Sequence, residues 1–318
     1  MGITPKGLAV AEGCSTWRMV PLRGSATPAF ETLHNALSQR YMHLHLPERP
    51  GSAQQPEVKI VDLRQYPLTE GISQPMLAAL TRHLEAGDQA LIYLNRRGFA
   101  PTLLCPTCGT TEECKRCDAR MVLHQNRNRL ICHHCGSERP ALPECGECKS
   151  ELVPVGLGTE RLEQTLINTF PDFPLVRIDR DTTRKRGELE RLLACVRNKE
   201  ARILLGTQML TKGHDFPDVT CVGIIDSDQG LFGTDFRSGE RLAQSILQVA
   251  GRAGRGEKPG EVWLQTWYPE HPLLNTLLNE GYAAFAEQAL KERDLAAWPP
   301  FSHLALLRSE CARKEVLF

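Results

Sequence analysis

The 318-residue sequence has no net charge, because 38 Lys and Arg balance 38 Asp and Glu. The basic footprint of a chain that coats nucleic acid along its whole length is therefore missing. Any such contact must use local patches or lie partly outside this chain. Also missing is an apolar run of about 18 residues, so no transmembrane helix is expected. Residues 1–20 lack the apolar stretch of a secretory signal, and a cytoplasmic location is the expectation. There is no low-complexity tract. What remains, 41% hydrophobic and 24% charged residues, describes an ordinary globular protein, and the length suggests about two domains.

Periodicity divides the chain. Residues 31–45 read as a short helix, and residues 47–56, rich in Pro, Gly, Ser and Gln, as a linker. Residues 58–62 read as a strand. In residues 72–86, Met76, Leu80 and Leu84 fall at helical spacing, and Gly87 is a reasonable C-cap. Further strands are expected at 90–94, 174–178, 202–205, 219–225 and 261–265, and helices at 159–170, 186–197, 240–253 and 272–295. Strands apolar on both faces, alternating with helices, predict an α/β fold with a parallel sheet between helices.

The only repeat is a cysteine pattern. Of twelve cysteines, eight form the pairs Cys105/Cys108, Cys114/Cys117, Cys132/Cys135 and Cys145/Cys148. With no export signal the thiols stay reduced, which favours metal ligation over disulfides. A Cys-x-x-Cys turn aims two thiolates at one point, and two such turns complete the tetrahedron that zinc requires. Eight cysteines therefore make two closed structural sites, with no position left open for water and no metal catalysis expected. If pairs stay together, three pairings exist. The alternating stretches at 121–124 and 129–131 suit a hairpin joining Cys117 to Cys132. The two inner pairs then share one ion and the two outer pairs the other. An iron–sulfur cluster would show a tighter or differently spaced run.

With four thiolates on each ion, His124, His133 and His134 are expected to face outward rather than ligate. Arg116, Arg120, Arg127 and Arg129 make the inner hairpin basic. A solvated face is the plain reading, and contact with DNA or a partner the sharper one. Cys14, Cys195, Cys221 and Cys311 are scattered, and the apolar surroundings of Cys195 and Cys221 predict small core residues.

A second pattern closes the helix at 240–253: Gln248-Val249-Ala250-Gly251-Arg252-Ala253-Gly254-Arg255. Two arginines three apart can reach one anion, and a guanidinium on a γ-phosphate stabilises the charge that develops in phosphoryl transfer. The string resembles motif VI of superfamily 2 helicases. Gly24-Ser25-Ala26-Thr27-Pro28 resembles motif III, and Leu94-Asn95-Arg96-Arg97-Gly98-Phe99 motif IV. Residues 205–216, with Gly213 and Asp215, resemble motif V. A module of four cysteine pairs directly after Asn95-Arg96-Arg97-Gly98-Phe99-Ala100-Pro101 is similar to the primosomal protein N′ family of replication-restart helicases. Gly158-Thr159-Glu160, Asp235-Phe236-Arg237, Glu240-Arg241 and Pro299-Pro300-Phe301 resemble the same family, so that the likeness covers residues 21–310.

The resemblance implies a RecA-like helicase lobe 2 carrying an inserted two-zinc, cysteine-rich ribbon. The division it implies is 1–20 unassigned, 21–70 the end of lobe 1 and a linker, 71–104 and 149–296 lobe 2, 105–148 the zinc insertion, and 297–318 the start of a further domain. It implies 3′ to 5′ DNA unwinding at abandoned forks and help in loading the replicative helicase. Two Zn²⁺ ions belong to this chain, and ATP and Mg²⁺ to the complete parent. The implied partners are forked or single-stranded DNA, primosome proteins and single-strand-binding protein, with no membrane. Arg252, Arg255 and Gln248 take catalytic roles, and Gly213, Asp215 and Gly251 contact the nucleotide. The family's nested zinc pairing is the one spacing predicts.

The sequence departs from that pattern by lacking a Gly-x-x-x-x-Gly-Lys-Ser/Thr loop and an Asp-Glu box. Ile224-Ile225-Asp226 follows motif V and so reads as a second-lobe strand, not as a magnesium site. The expectation is an internal piece of a longer helicase, without ATPase by itself. The alternative is a non-enzymatic zinc-dependent module, derived from a helicase, that binds DNA or a partner.

Overall fold

A computed structural model describes residues 8–9, 20–21, 24–46, 56–95, 102–117, 121–124, 128–132, 135–155, 159–179, 182–210, 215–233, 235–256 and 258–305. The chain divides into two compact units, Met1–His45 with Leu290–Phe318, and Leu46–Ala289. The linker expected at 47–56 lies almost wholly outside the described residues.

The larger unit is built on a six-stranded, wholly parallel sheet. Its order is Leu175–Ile178, Ile203–Gly206, Gln89–Leu94, Val219–Ile225, Glu261–Thr266, Glu57–Asp62. The three strands Ile203–Gly206, Gln89–Leu94 and Val219–Ile225 are buried at every position. Alternation puts Ala90, Ile92 and Leu94 on one face. There they pack with Met76, Leu80 and Leu84 of helix Gln74–Glu85 and with Leu162 and Leu166 of helix Thr159–Thr169. Leu91, Tyr93, Val222 and Ile224 belong to the other face and are equally buried. Helix Ser238–Ala250 buries Leu242, Ala243, Ile246 and Val249, one stripe at helical spacing. This is the expected parallel α/β lobe, and no helix among the described residues is long and apolar enough to cross a membrane.

Several boundaries differ from the sequence reading, among them the helix expected over 240–253, which runs Ser238–Ala250 and ends before Arg252. Glu57–Asp62 pairs with Glu261–Thr266 from Glu57 opposite Glu261 to Asp62 opposite Thr266. The sheet therefore begins upstream of residue 71, where the sequence reading began lobe 2. The helix expected over 272–295 is two helices, Pro272–Asn279 and Gly281–Leu295. Gly281, the first residue of the second helix, has φ +88, a left-handed conformation that breaks the hydrogen-bond ladder and that glycine adopts freely. The helix expected over 31–45 stops at Leu37, because Gln39 turns left-handed at φ +60.

In the smaller unit, helix Phe30–Leu37 buries Phe30 beneath the Arg293 guanidinium, 4.5 Å from the ring centroid. Leu8–Ala9 and Val20–Pro21 pair antiparallel within the stretch that carries no sequence pattern.

Candidate metal centres and the arginine pair

The cysteine module leaves and re-enters the lobe through an antiparallel stem, with Thr102–Leu104 paired to Val153–Val155. Between them lies a three-stranded antiparallel sheet of Val122–His124, Arg129–Ile131 and Glu138–Pro140. Three of the four cysteine turns follow one design. The Cys105 N–H donates to the Thr110 carbonyl at 2.8 Å, and the Gly109 N–H to the Cys105 carbonyl at 2.9 Å. Cys132 with Ser137 and Gly136, and Cys145 with Ser150 and Lys149, repeat the pattern at 2.8–3.1 Å. The residue after the second cysteine is left-handed in each: Gly109 at φ +75, Gly136 at +72, Lys149 at +64. Glycine takes that position without steric strain. The signal is legible in the sequence as Cys-x-x-Cys, then Gly or Lys, then Thr or Ser.

These turns bring eight sulfurs into two sets of four. Cys105 Sγ lies 3.3 Å from Cys148 Sγ, and Cys108 Sγ lies 3.7 Å from Cys145 Sγ and 3.6 Å from Cys148 Sγ. In the other set, Cys114 to Cys135 and Cys117 to Cys132 are both 3.5 Å. All ligand atoms of a set lie within 4.8 Å of one another. A tetrahedron with zinc–sulfur bonds of about 2.3 Å has edges of about 3.8 Å, so each set fits one zinc ion with four thiolates. The pairing is nested, as spacing predicts.

Local donors tune the thiols toward the thiolate that binds metal. The Arg116 N–H, 3.4 Å from Cys114 Sγ, holds that thiol down to about 6, and Ser150 does the same for Cys148. Burial pushes Cys105 up to about 11. The sulfurs share a core with Met121, Leu123, Leu130 and Leu152. Arg139 was missed by sequence reasoning. It donates to Glu112, to the Glu113 carbonyl at 3.1 Å and to Met121 Sδ at 3.1 Å, tying the inner hairpin to the segment between the outer and inner pairs. Of the basic hairpin residues, Arg116 is exposed and Arg129 pairs with Glu138 at 3.3 Å. Arg120, Arg127, His133, His134 and the His124 side chain lie outside the described residues. Cys221 is buried, its thiol pushed up to about 12 by that burial, whereas Cys195 is only half-buried.

Arg252 and Arg255 follow the C-terminus of helix Ser238–Ala250. Helix and strand run antiparallel, so this segment returns to the amino ends of the strands: the Gly254 N–H donates to the Val219 carbonyl at 3.0 Å. Arg255 donates to Asp215 Oδ1 at 3.0 Å and to the Gly251 carbonyl at 2.7 Å. Arg252 is 6% exposed, and burial, with Arg255 beside it, lowers its pKa. Gln248, half-buried, lies one turn before. The structure thus brings together Gln248, Gly251, Arg252, Arg255 and Asp215, while Gly213 lies outside the described residues. Gly251 has an ordinary helical φ of −64°.

The carboxyl ends of the strands, roughly 20 Å away at ~3.3 Å per residue, carry a different set. Asn95 follows Gln89–Leu94 and donates its N–H to the Ile225 carbonyl at 3.1 Å. Arg96 and Arg97 lie outside the described residues. Asp226 follows Ile225 in a left-handed conformation at φ +59. Asp228, which sequence reasoning passed over, is buried; its Oδ2 accepts the Trp267 N–H at 3.0 Å and its Oδ1 the Thr266 hydroxyl. Asp235 accepts from the Arg237 N–H at 2.9 Å and from the Arg241 guanidinium at 2.7 Å at the head of helix Ser238–Ala250. The segment Gly24–Pro28, which resembles motif III, lies in the smaller unit, where the Thr27 N–H donates to Ser25 Oγ at 3.1 Å.

Comparison with known proteins identifies both parts. Residues 114–140 match the PriA DNA helicase Cys-rich region domain, and residues 155–257 the helicase conserved C-terminal domain. Over 296 residues, 93% of this chain, the sequence is 47% identical to the replication restart protein PriA of Haemophilus influenzae, 40% of whose length is covered. The PriA protein of Bacillus subtilis is 39% identical over 89% of this chain and 36% of its own length. That of Chlamydia pneumoniae is 38% identical over 88% and 38%. The chain spans well under half the length of these relatives.

Proposed function

We propose, from the premise that this chain belongs to the family of PriA replication restart proteins, that it forms the second motor lobe and zinc module of an ATP-dependent DNA helicase. In this reading Arg252 and Arg255 are offered across a cleft to the phosphates of ATP held by another lobe. Gln248, Asp215 and Gly251 line the same side, and Gly213 takes its nucleotide role from the resemblance alone. The carboxyl ends of the strands, with Asn95 and the segment after Gly206, track a DNA strand. The module carries two structural Zn²⁺ ions, one in each cysteine set, and supports contact with forked or single-stranded DNA. Primosome proteins and single-strand-binding protein are partners of the complete assembly in the cytoplasm.

The observation that carries the reading is the placement of the module. Two sets of four clustered cysteine sulfurs sit on a stem entered after strand Gln89–Leu94, in a lobe whose arginine pair follows helix Ser238–Ala250. The sequence holds no loop to cradle phosphates and no acidic pair for Mg²⁺. Removing a single group of that kind lowers a rate by orders of magnitude. The purified chain is therefore expected to release no phosphate from ATP above background, with or without DNA. DNA-stimulated hydrolysis by the chain alone would overturn this assignment of roles.

The same missing loop favours a second reading, a zinc-dependent binding module with no hydrolytic role. Adding a P-loop lobe from a PriA relative separates the two. Restored ATPase that disappears in Arg255→Ala supports the motor, and no restoration supports the module.

A further inference from the structure

The two cysteine sets offer the same donors at nearly the same spacing, but they differ in what covers them. Each has two buried members, Cys105 and Cys145 in the outer set, Cys114 and Cys132 in the inner. The other two members diverge. Cys117 and Cys135 are half-buried and pack against a core that includes Met121, Leu123 and Leu130. Cys108 and Cys148 are exposed. The residues before them, Pro106 and Thr107 in one turn and Gly146 and Glu147 in the other, are exposed as well.

The exposed pair is close, and its surroundings are polar. The two sulfurs lie 3.6 Å apart. Cys108 Sγ is 3.2 Å from the Thr110 hydroxyl, and the Ser150 hydroxyl is hydrogen-bonded to Cys148. Lys149 folds back onto the Gly146 carbonyl at 3.3 Å and so keeps its ammonium in the Cys148 turn. The Cys108 turn has Gly109 at that place. Thiolates that are exposed and sit beside a cation are the ones that peroxide reaches and oxidises.

We propose that Cys148, with Cys108 as its partner, is an oxidation site for hydrogen peroxide, so that the outer ion is lost before the inner one. The proposal rests on the two-zinc reading above and adds an order to the two sites. The Cys148 sulfur takes one peroxide oxygen to become a sulfenic acid, and hydroxide leaves. The Cys108 thiolate then attacks that sulfur, the disulfide forms, and a second hydroxide leaves. Two protons turn both hydroxides into water, so one peroxide gains the two electrons that the two thiolates lose. Cys105 and Cys145 remain, two ligands where the ion needs four. The outer set also joins the module to the lobe. Cys105 follows Leu104, which packs with Leu63 and Trp267, and the Tyr268 hydroxyl donates to the Gly109 carbonyl at 3.0 Å. Oxidation therefore loosens the module at its attachment and spares the inner hairpin.

The test uses the full chain purified with its zinc. Hydrogen peroxide is titrated in, and released metal is read with a chromogenic zinc indicator. Disulfides are mapped by mass spectrometry after alkylation of the remaining thiols. One equivalent of zinc is expected first, together with a Cys108–Cys148 disulfide. The second should need about tenfold more peroxide, and a thiol reductant with added zinc should restore the outer site. Release of both ions at one dose, or a first disulfide among Cys114, Cys117, Cys132 and Cys135, overturns the proposal. Protein that holds fewer than two zinc ions before any peroxide is added overturns the two-zinc reading as well, which separates the two failures.

Discussion

Between the two arginines stands the residue with the least freedom in the segment. Gly254 has φ +67, and a Cβ there would lie 2.5 Å from the Gly260 nitrogen. Gly260 reciprocates, its Cβ position being 2.5 Å from the Gly254 nitrogen. The close approach locks the arginine segment to the start of strand Glu261–Thr266. Gly254→Ala combines a left-handed penalty with a backbone clash and should destabilise the chain by about 2 kcal/mol or more. An unchanged urea midpoint would show that the segment yields. The string Gln-x-x-Gly-Arg-x-x-Arg made the arginines legible but not this distinction between its glycines. Gly251 is the helix C-cap with a negative φ of −64°, and the partner that constrains Gly254 is known only once the strand is in place. Arg139 and Asp228 escaped notice for the same reason. Nothing in the sequence around Arg139 names Glu112, and nothing around Asp228 names Thr266 and Trp267.

At the scale of elements, strong apolar periodicity was enough to find every strand of the sheet, and the misses fall at breaks. Helix Pro272–Asn279 begins with a device that composition does not reveal. His271 is its N-cap, and its ring Nδ1 accepts the Leu273 N–H at 3.2 Å. An accepting nitrogen must be unprotonated, and burial lowers the His271 pKa. The unfolded histidine, near 6.5, therefore takes up a proton before the folded one does. The cap contributes fully above that pH and is lost as pH falls through the lower folded value. Protonation also places a positive charge at a helix N-terminus, which is unfavourable. Acidification from pH 8 to about 5.5 should lower thermal stability by more in the parent than in His271→Asn. A cap of this kind is worth about 1 kcal/mol. Parallel pH profiles for the two proteins would rule out the cap as the titrating group.

For the whole molecule, the cysteine core and the sheet core are separate apolar clusters. The nested pairing could be read from sequence because each ligand pair is a local turn. The order of the six strands could not, because it depends on crossovers that no local pattern encodes. Protein purified without added metal should contain two zinc ions per chain. Stripping them with a strong chelator should release amide-exchange protection across residues 105–148, while strands Gln89–Leu94 and Val219–Ile225 keep theirs. Simultaneous loss of protection in both regions would show one cooperative body rather than two. One ion, or iron, would contradict the zinc assignment itself.

The stem has a consequence for the history of such a chain. Thr102–Leu104 and Val153–Val155 run side by side, so the module departs and returns through a single doorway one strand spacing wide, about 4.8 Å. To the host lobe, an insert attached in this way occupies no more room than a hairpin turn. A module with adjacent ends can be gained, lost, enlarged or exchanged by recombination without the sheet having to find a new topology.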